Sequence, residues 1–221
     1  MLAIRTERCC VELGKLSTQT FFAVYSHYLT IETDFFPWQL GGTGEFWNMY
    51  SNMPYYTQVP GLHLFSLIQI GYFAGDLLDT VVFATKDSNY WEMFFHHLCS
   101  LALVTGMTFL GQQRVGAIVV VIHATTDILI HSARLLSNTV YSAATGAVFV
   151  AALLLWIYYR NYALVILLKV SWESSVRFDP GFECLHFLTQ ILCCFQTFLV
   201  IMHVYWTFAM VKMLRKYYKG G

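Results

Sequence analysis

Histidine and carboxylate side chains recur at helical spacing inside long apolar stretches of this 221-residue chain. His123, Asp127 and His131 follow one another at intervals of four residues, which places them on one face of a helix. His96 and His97 form an adjacent pair inside another apolar stretch. A carboxylate one turn from an imidazole can fix its tautomer and raise its basicity, which suits general-base work on an amine or a hydroxyl. We therefore predict catalytic roles for His96, His97, His123 and Asp127.

Two other interpretations, helix packing and metal binding, fit part of the same pattern. The polar residues on these faces could instead hydrogen-bond one another and fix helix packing, and this applies most to Gln69, Tyr72, Gln196 and Thr207. His and Asp at i, i+4 and i+8 could also supply metal ligands from one helix face. Membrane di-iron hydroxylases carry several histidine clusters, whereas this chain has one His-His pair. We therefore predict no metal site.

The elements that position these residues are membrane helices. The chain is 57% hydrophobic and 12% charged, which argues against a soluble domain. The stretches 135–159 and 184–211 contain no Asp, Glu, Lys or Arg, and each exceeds the roughly 20 residues that cross a bilayer. Thirteen basic residues balance thirteen acidic ones, so no charge field points to nucleic acid. The apolar surroundings of the polar stripes indicate a lipid substrate.

We predict an all-α polytopic membrane protein with about six transmembrane helices. The predicted spans are 16–33, 61–84, 95–111, 115–136, 140–168 and 184–211. Residues 1–15 form an N-terminal segment on the positively charged side, 16–212 the transmembrane domain, and 213–221 a basic tail. The Trp- and Tyr-rich loop 34–60 is predicted to lie on lipid headgroups. Arg160, inside the fifth span, must snorkel, pair or mark the end of the span, and its tyrosine neighbours favour the last.

Neither the cysteines nor the N-terminus adds a further function. The six cysteines show no paired metal or disulfide spacing, and we interpret them as small packing residues. Residues 1–13 contain two glutamates and no continuous apolar segment, so we expect no cleavable signal, and this acidic segment does not indicate a transit peptide.

The block from Lys86 to Arg134 resembles the signature region of ceramide synthases, within the wider TLC-domain membrane family. In that family an acidic, aromatic loop leads to a His-His pair, then R-x-G, then H-D-x-x-D. The matching residues here are Lys86, Asp87, Trp91, Glu92, Met93, His96, His97, Arg114, Gly116, His123 and Asp127, with Arg134 at a later basic position. The resemblance implies a TLC-type bundle that admits a long acyl chain and transfers it from acyl-CoA to a sphingoid base. It implies acyl-CoA as co-substrate, with no other cofactor.

Helical spacing and the resemblance together indicate candidate substrate-binding residues outside the catalytic four. Some echo the last helix of ceramide synthases, and others lie on the polar helix faces. The predicted set is Asp76, Asp79, Arg114, His131, Gln196, His203 and Trp206. An endoplasmic reticulum location follows from the resemblance, and the span pattern is equally compatible with a mitochondrial inner membrane or another membrane.

One departure from the family pattern opens a second function. The first aspartate of H-D-x-x-D is Ala124 here, and an alanine methyl can neither accept a proton nor orient an imidazole. Two hypotheses follow. The chain is a sphingoid-base N-acyltransferase, in which His96 or His97 acts as base or acyl acceptor and His123 with Asp127 orients the amine. Alternatively it is an inactive lipid-binding protein that serves as an accessory subunit of a larger membrane complex.

Overall fold

The computed structural model describes residues 2–53, 55–83, 89–137, 142–177 and 183–219. Within these residues the chain is helical with no strand, as predicted for an all-α polytopic membrane protein. The helices are α1 (Leu2–Thr30), α2 (Leu62–Val82), α3 (Tyr90–Phe109), α4 (Gln113–Ser137), α5 (Ser142–Trp156), α6 (Leu164–Ser175) and α7 (Glu183–Tyr218), with a π-helical segment (Ile157–Ala163) joining α5 to α6. Lys86 and Asp87 lie outside the described residues.

A helix lies within each of the six segments predicted to cross the membrane, although α1 ends at Thr30, α2 at Val82 and α3 at Phe109, before the predicted ends of those spans. Four of them are long and apolar enough to do so by length and composition: Leu62–Val82, Gln113–Ser137, Ala144–Ser175 and Glu183–Lys216. The predicted segment 1–15 and the predicted first span belong to one helix, because α1 runs without a break from Leu2 to Thr30. In the described part of the predicted fifth span, residues 142–168 are helical without interruption, and the π-helical segment contains Arg160.

Clustering of the described residues gives two compact units. Unit 1 consists of Met1–Tyr28, Val119–Leu164 and His203–Gly221. Unit 2 consists of Leu29–Ile118 and Val165–Met202. Unit 1 contains the His123 stripe and Arg160, and unit 2 contains the His-His pair and the aromatic loop, so each has its own set of candidate residues.

The loop between α1 and α2 folds on itself within unit 2. It contains two short 3₁₀ turns, Trp38–Leu40 and Phe46–Tyr50. A glycine is required at Gly44, because a Cβ there would overlap the backbone carbonyl of Asp34. Its buried side chains are Phe35, Phe36, Leu40, Phe46 and Met49, whereas Trp38, Trp47 and Tyr55 are exposed. Of the aromatic residues in the loop, these three are exposed and Phe46 is buried, and the contact of the loop with lipid headgroups stays a prediction.

Tyr50 ties this loop to α6, since its hydroxyl donates a 2.8 Å hydrogen bond to Ser171 Oγ. Burial raises the pKa of Tyr50 well above its ordinary value. The raised pKa of Tyr50 contributes to the free energy of unfolding at pH values below about 10, the ordinary pKa of tyrosine. This contribution is lost at higher pH, because Tyr50 ionises in the unfolded chain before it does so in the folded chain.

We expect Tyr50→Phe to lower the free energy of unfolding by about 1 kcal/mol, the usual contribution of one hydrogen bond. The difference between wild type and variant should be constant from pH 7 to 9 and shrink above roughly pH 10. Thermal unfolding in detergent measures it. The control is Tyr55→Phe, at a side chain that is 82% exposed. Equal losses for both variants would contradict the role of the Tyr50 hydroxyl.

Candidate functional site

Arg160 is the centre of the polar site in unit 1. The residue is 2% exposed, and its Nη2 lies 2.5 Å from Asp127 Oδ1. Arg160 therefore forms an ion pair, which is one of the three predicted alternatives, and its interpretation as the end of a membrane span stays a prediction. A charged side chain at membrane depth is stabilised when it pairs, and the π-helical segment places Arg160 where α4 supplies the opposite charge.

The guanidinium also donates to three neutral acceptors. Its Nε donates to Thr126 Oγ1 at 2.8 Å, its Nη2 to the His123 carbonyl at 3.1 Å, and its Nη1 to His203 Nε2 at 3.2 Å. The indole of Trp156 lies 4.0 Å from the guanidinium carbon and adds a cation–π contact. This coordination explains why a permanent cation is tolerated in the interior of unit 1.

His123 contributes a second feature of the site. Its Nδ1 lies 2.7 Å from the Val119 carbonyl, which can only accept, so Nδ1 carries the ring hydrogen. Its Nε2 therefore holds a lone pair, and this buried atom has no hydrogen-bond partner among the described residues. A neutral imidazole with a lone pair on Nε2 can accept a proton, which is the chemistry of a general base.

Asp127 has a different role from the one its spacing indicates. The carboxylate lies one turn from His123 on α4, as predicted, but its resolved partner is Arg160 rather than the His123 ring. Ala124 is 1% exposed, so the alanine that replaces the family aspartate lies inside the packed protein.

The predicted α7 residues of unit 1 adjoin this cluster. His203 is fully buried, and its ring lies 5.0 Å from that of His123 and 5.8 Å from that of Trp206, between ring centroids. Trp156 Nε1 donates to Thr207 Oγ1 at 3.1 Å, which links α5 to the same part of α7. The structure thus brings together His123, Asp127, His203 and Trp206 of the predicted site.

His131 lies two turns from His123 on α4 and contacts α1. Its Nδ1 is 2.7 Å from Glu12 Oε2, and Arg134 Nη1 lies 3.9 Å from the other carboxylate oxygen. This contact joins α1 to the end of α4 and gives His131 a resolved packing role.

The other predicted residues belong to unit 2. His96 and His97 are half-buried on α3, with ring centroids 5.5 Å apart, and α3 packs against α2. Asp76 on α2 is half-buried, whereas Asp79 is exposed. The convergence of the His-His pair with His123 and Asp127 stays a prediction. In the described part of the chain, no cluster of three His, Cys, Asp or Glu side chains could hold a metal ion.

Arg114 and Gln196 complete the predicted set. The Arg114 guanidinium lies 4.0 Å from the centre of the Tyr56 ring and donates to the carbonyls of Asn48 and Thr57 at 3.4 and 3.1 Å. Arg114 therefore holds the aromatic loop against the start of α4. Gln196 on α7 is 3% exposed.

Sequence reasoning assigned no site role to Arg160, Thr126 or Trp156. The sequence does contain a signal for the role of Arg160. Asp127 needs a counter-charge at membrane depth, and Arg160 is a basic residue within a long apolar segment. The competing signal was the run of tyrosines beside Arg160, which resembles an interfacial belt.

Comparison with known proteins decides the family. The TLC domain profile matches residues 9–212, which is most of the chain. The chain belongs to the TLC-domain family. This TLC-domain protein is 26% identical over 174 residues to ceramide synthase 4 of Bos taurus, an alignment that covers 78% of this chain and 43% of the relative. It is 25% identical over 168 residues to ceramide synthase hyl-2 of Caenorhabditis elegans, covering 73% and 51%.

A third relative is named for the reaction itself. Sphingosine N-acyltransferase lag1 of Schizosaccharomyces pombe is 24% identical over 138 residues, with 61% of this chain and 34% of the relative covered. The TLC-domain protein spans about half the length, or less, of these curated relatives. It is a ceramide-synthase-like membrane protein, as the block around the His-His pair predicts.

Proposed function

We propose that this TLC-domain protein transfers an acyl group from acyl-CoA to the amino group of a sphingoid base. The observation that carries the proposal is the bare Nε2 of His123, a buried base held in one tautomer by the Val119 carbonyl. The names of the relatives supply the reaction class, since they are ceramide synthases and a sphingosine N-acyltransferase. The membrane location is the endoplasmic reticulum, by the same resemblance.

The chemistry needs a base at one step. The amine nitrogen attacks the thioester carbonyl, a C–N bond forms and the C–S bond breaks. The nitrogen loses one proton to His123 Nε2, and the departing CoA thiolate takes up this proton, which returns His123 to its neutral form. His96 or His97 acts as a second base or as acyl acceptor, a role that rests on the matching His-His pair. Asp127 and Arg160 form a neutral pair, so the uncharged amine enters a site with no net charge.

The test is N-acylation of sphinganine by acyl-CoA, with purified protein in detergent or liposomes. Wild type should turn over, and His97→Ala should abolish product formation. The matched control is His63→Ala, an exposed histidine on α2. Absence of turnover in wild type, together with stoichiometric co-purification of membrane proteins, would overturn this function.

A second candidate function is a lipid-binding accessory subunit without catalysis. The observation that favours it is the loss of one family carboxylate at Ala124, together with the engagement of the remaining one by Arg160. A site built for electrostatic stabilisation loses about 10²–10³ in rate when one preorganised group is removed.

Ala124→Asp separates the two candidates. If the protein is a decayed acyltransferase, the variant should gain N-acylation of sphinganine by about tenfold or more over wild type. The buried carboxylate should also lower the melting temperature, because Ala124 is 1% exposed. The control is Ala117→Asp, which buries a carboxylate at another 1%-exposed alanine two turns earlier on α4. Equal turnover in wild type, Ala124→Asp and Ala117→Asp would exclude the decayed-enzyme hypothesis.

A further inference from the structure

Two neighbouring imidazoles of unit 1 meet different partners. The centroids of His123 and His203 lie 5.0 Å apart, and their planes are inclined by 52°. His203 is fully buried at 0% exposure, and His123 is half-buried. Either ring could in principle serve as a base, so the hydrogen positions decide which one is suited to it.

Arg160 decides the tautomer of His203. A guanidinium has only hydrogen-bond donors and stays charged. The 3.2 Å contact between Arg160 Nη1 and His203 Nε2 therefore requires that Nε2 carries no hydrogen and acts as the acceptor. The ring hydrogen of His203 then lies on Nδ1. The lone pair that would make His203 a base is committed to the guanidinium.

His123 has the same tautomer for another reason. The Val119 carbonyl, 2.7 Å away, holds the hydrogen on Nδ1. The hydrogen bond from Arg160 to His123 goes to the backbone carbonyl, at 3.1 Å, and not to Nε2 of the ring. The Nε2 lone pair of His123 therefore stays uncommitted.

Arg160 is held firmly enough to impose this difference. Asp127, Thr126 and the Trp156 ring fix the guanidinium on three sides. The planar fork of arginine is needed, because a lysine ammonium is a point charge and cannot hold this array of acceptors in one plane.

We infer that Arg160 is a positioning residue that gives the two histidines different roles. It binds the lone pair of His203, which becomes a fixed acceptor, and leaves His123 as the member of the pair with an uncommitted ring nitrogen. The assignment of His123 as base rests on the proposed acyl transfer. The assignment of the His203 tautomer does not depend on that reaction.

The first test reads the tautomers directly. Protein labelled with ¹⁵N-histidine in detergent micelles is compared with Arg160→Lys by NMR, with resonances assigned from His123→Gln and His203→Gln. In wild type, Nε2 of His203 should carry no hydrogen and accept a hydrogen bond, with the ring hydrogen on Nδ1. In Arg160→Lys, His203 should show both tautomers. Asn161→Ala is the control, because it alters the same π-helical segment at a side chain whose resolved bond goes to Thr207. A hydrogen on Nε2 of wild-type His203, or an identical His203 spectrum in Arg160→Lys, would overturn the inference.

The second test uses turnover of sphinganine with acyl-CoA. His203→Gln keeps an acceptor for Arg160 and should retain at least ten times the kcat of His203→Leu, with similar melting temperatures. Equal kcat values for wild type and His203→Leu would overturn the positioning role. If the tautomers are as inferred and wild type shows no turnover, the proposed acyl transfer fails and the role of Arg160 in fixing His203 is supported.

Discussion

Arg160→Met should lower the free energy of unfolding by about 3–5 kcal/mol, because it leaves the Asp127 carboxylate partly buried without its counter-charge. For a chain of this size that corresponds to a fall in melting temperature of roughly 10 °C. The loss includes the bonds to Thr126 and His203 as well as the contact with Trp156. Thermal unfolding of the purified protein in detergent measures it.

The double variant Arg160→Met with Asp127→Leu tests the cause of this loss. Replacing both members of a buried ion pair with apolar side chains is often neutral or stabilising, so the double variant should regain most of the lost stability. The surface pair Lys169–Glu173 serves as the control, since its atoms lie 3.8 Å apart on exposed parts of α6. Lys169→Met should cost less than about 1 kcal/mol. A double variant as unstable as Arg160→Met would show that the ion pair is not the origin of the effect.

His123→Gln should reduce kcat for N-acylation of sphinganine at least 100-fold, with a KM that changes about threefold or less. General-base catalysis contributes roughly 10²–10⁴ in rate, and glutamine fills a similar volume without accepting a proton. Steady-state kinetics with varied sphinganine separates kcat from KM.

The control for His123→Gln is His63→Gln, the same change at an exposed position of α2. Its kcat should equal that of wild type. Retention of more than a tenth of the wild-type kcat by His123→Gln would assign the base to another residue, with His96 and His97 as the remaining candidates. A fall in kcat that is matched by a fall in melting temperature would instead indicate a packing role for the imidazole.

The amino-acid sequence is enough to predict the class of protein, the approximate positions of its helices and the polar stripe of α4. Long runs without charge specify membrane helices, because each buried backbone group must find its hydrogen bond within its own segment. The four-residue spacing of His123, Asp127 and His131 specifies a common helix face for the same local reason. The His-His pair and the spacing to Arg114 and His123 carried enough family information to predict the TLC domain that the profile match confirms.

The partners of these polar groups depend on how the helices pack and could not be predicted from spacing along the chain. Local spacing places Asp127 near His123, yet Arg160, 33 residues away, takes the carboxylate. His131 is bound by Glu12, 119 residues earlier, rather than by its neighbours on α4. Pairing at membrane depth is set by which charges the helices bring within hydrogen-bond distance, because an unpaired charge there is costly. The periodicity of one helix contains no information about its partners, and the π-helical turn that carries Arg160 has no sequence signal comparable to a run of apolar residues.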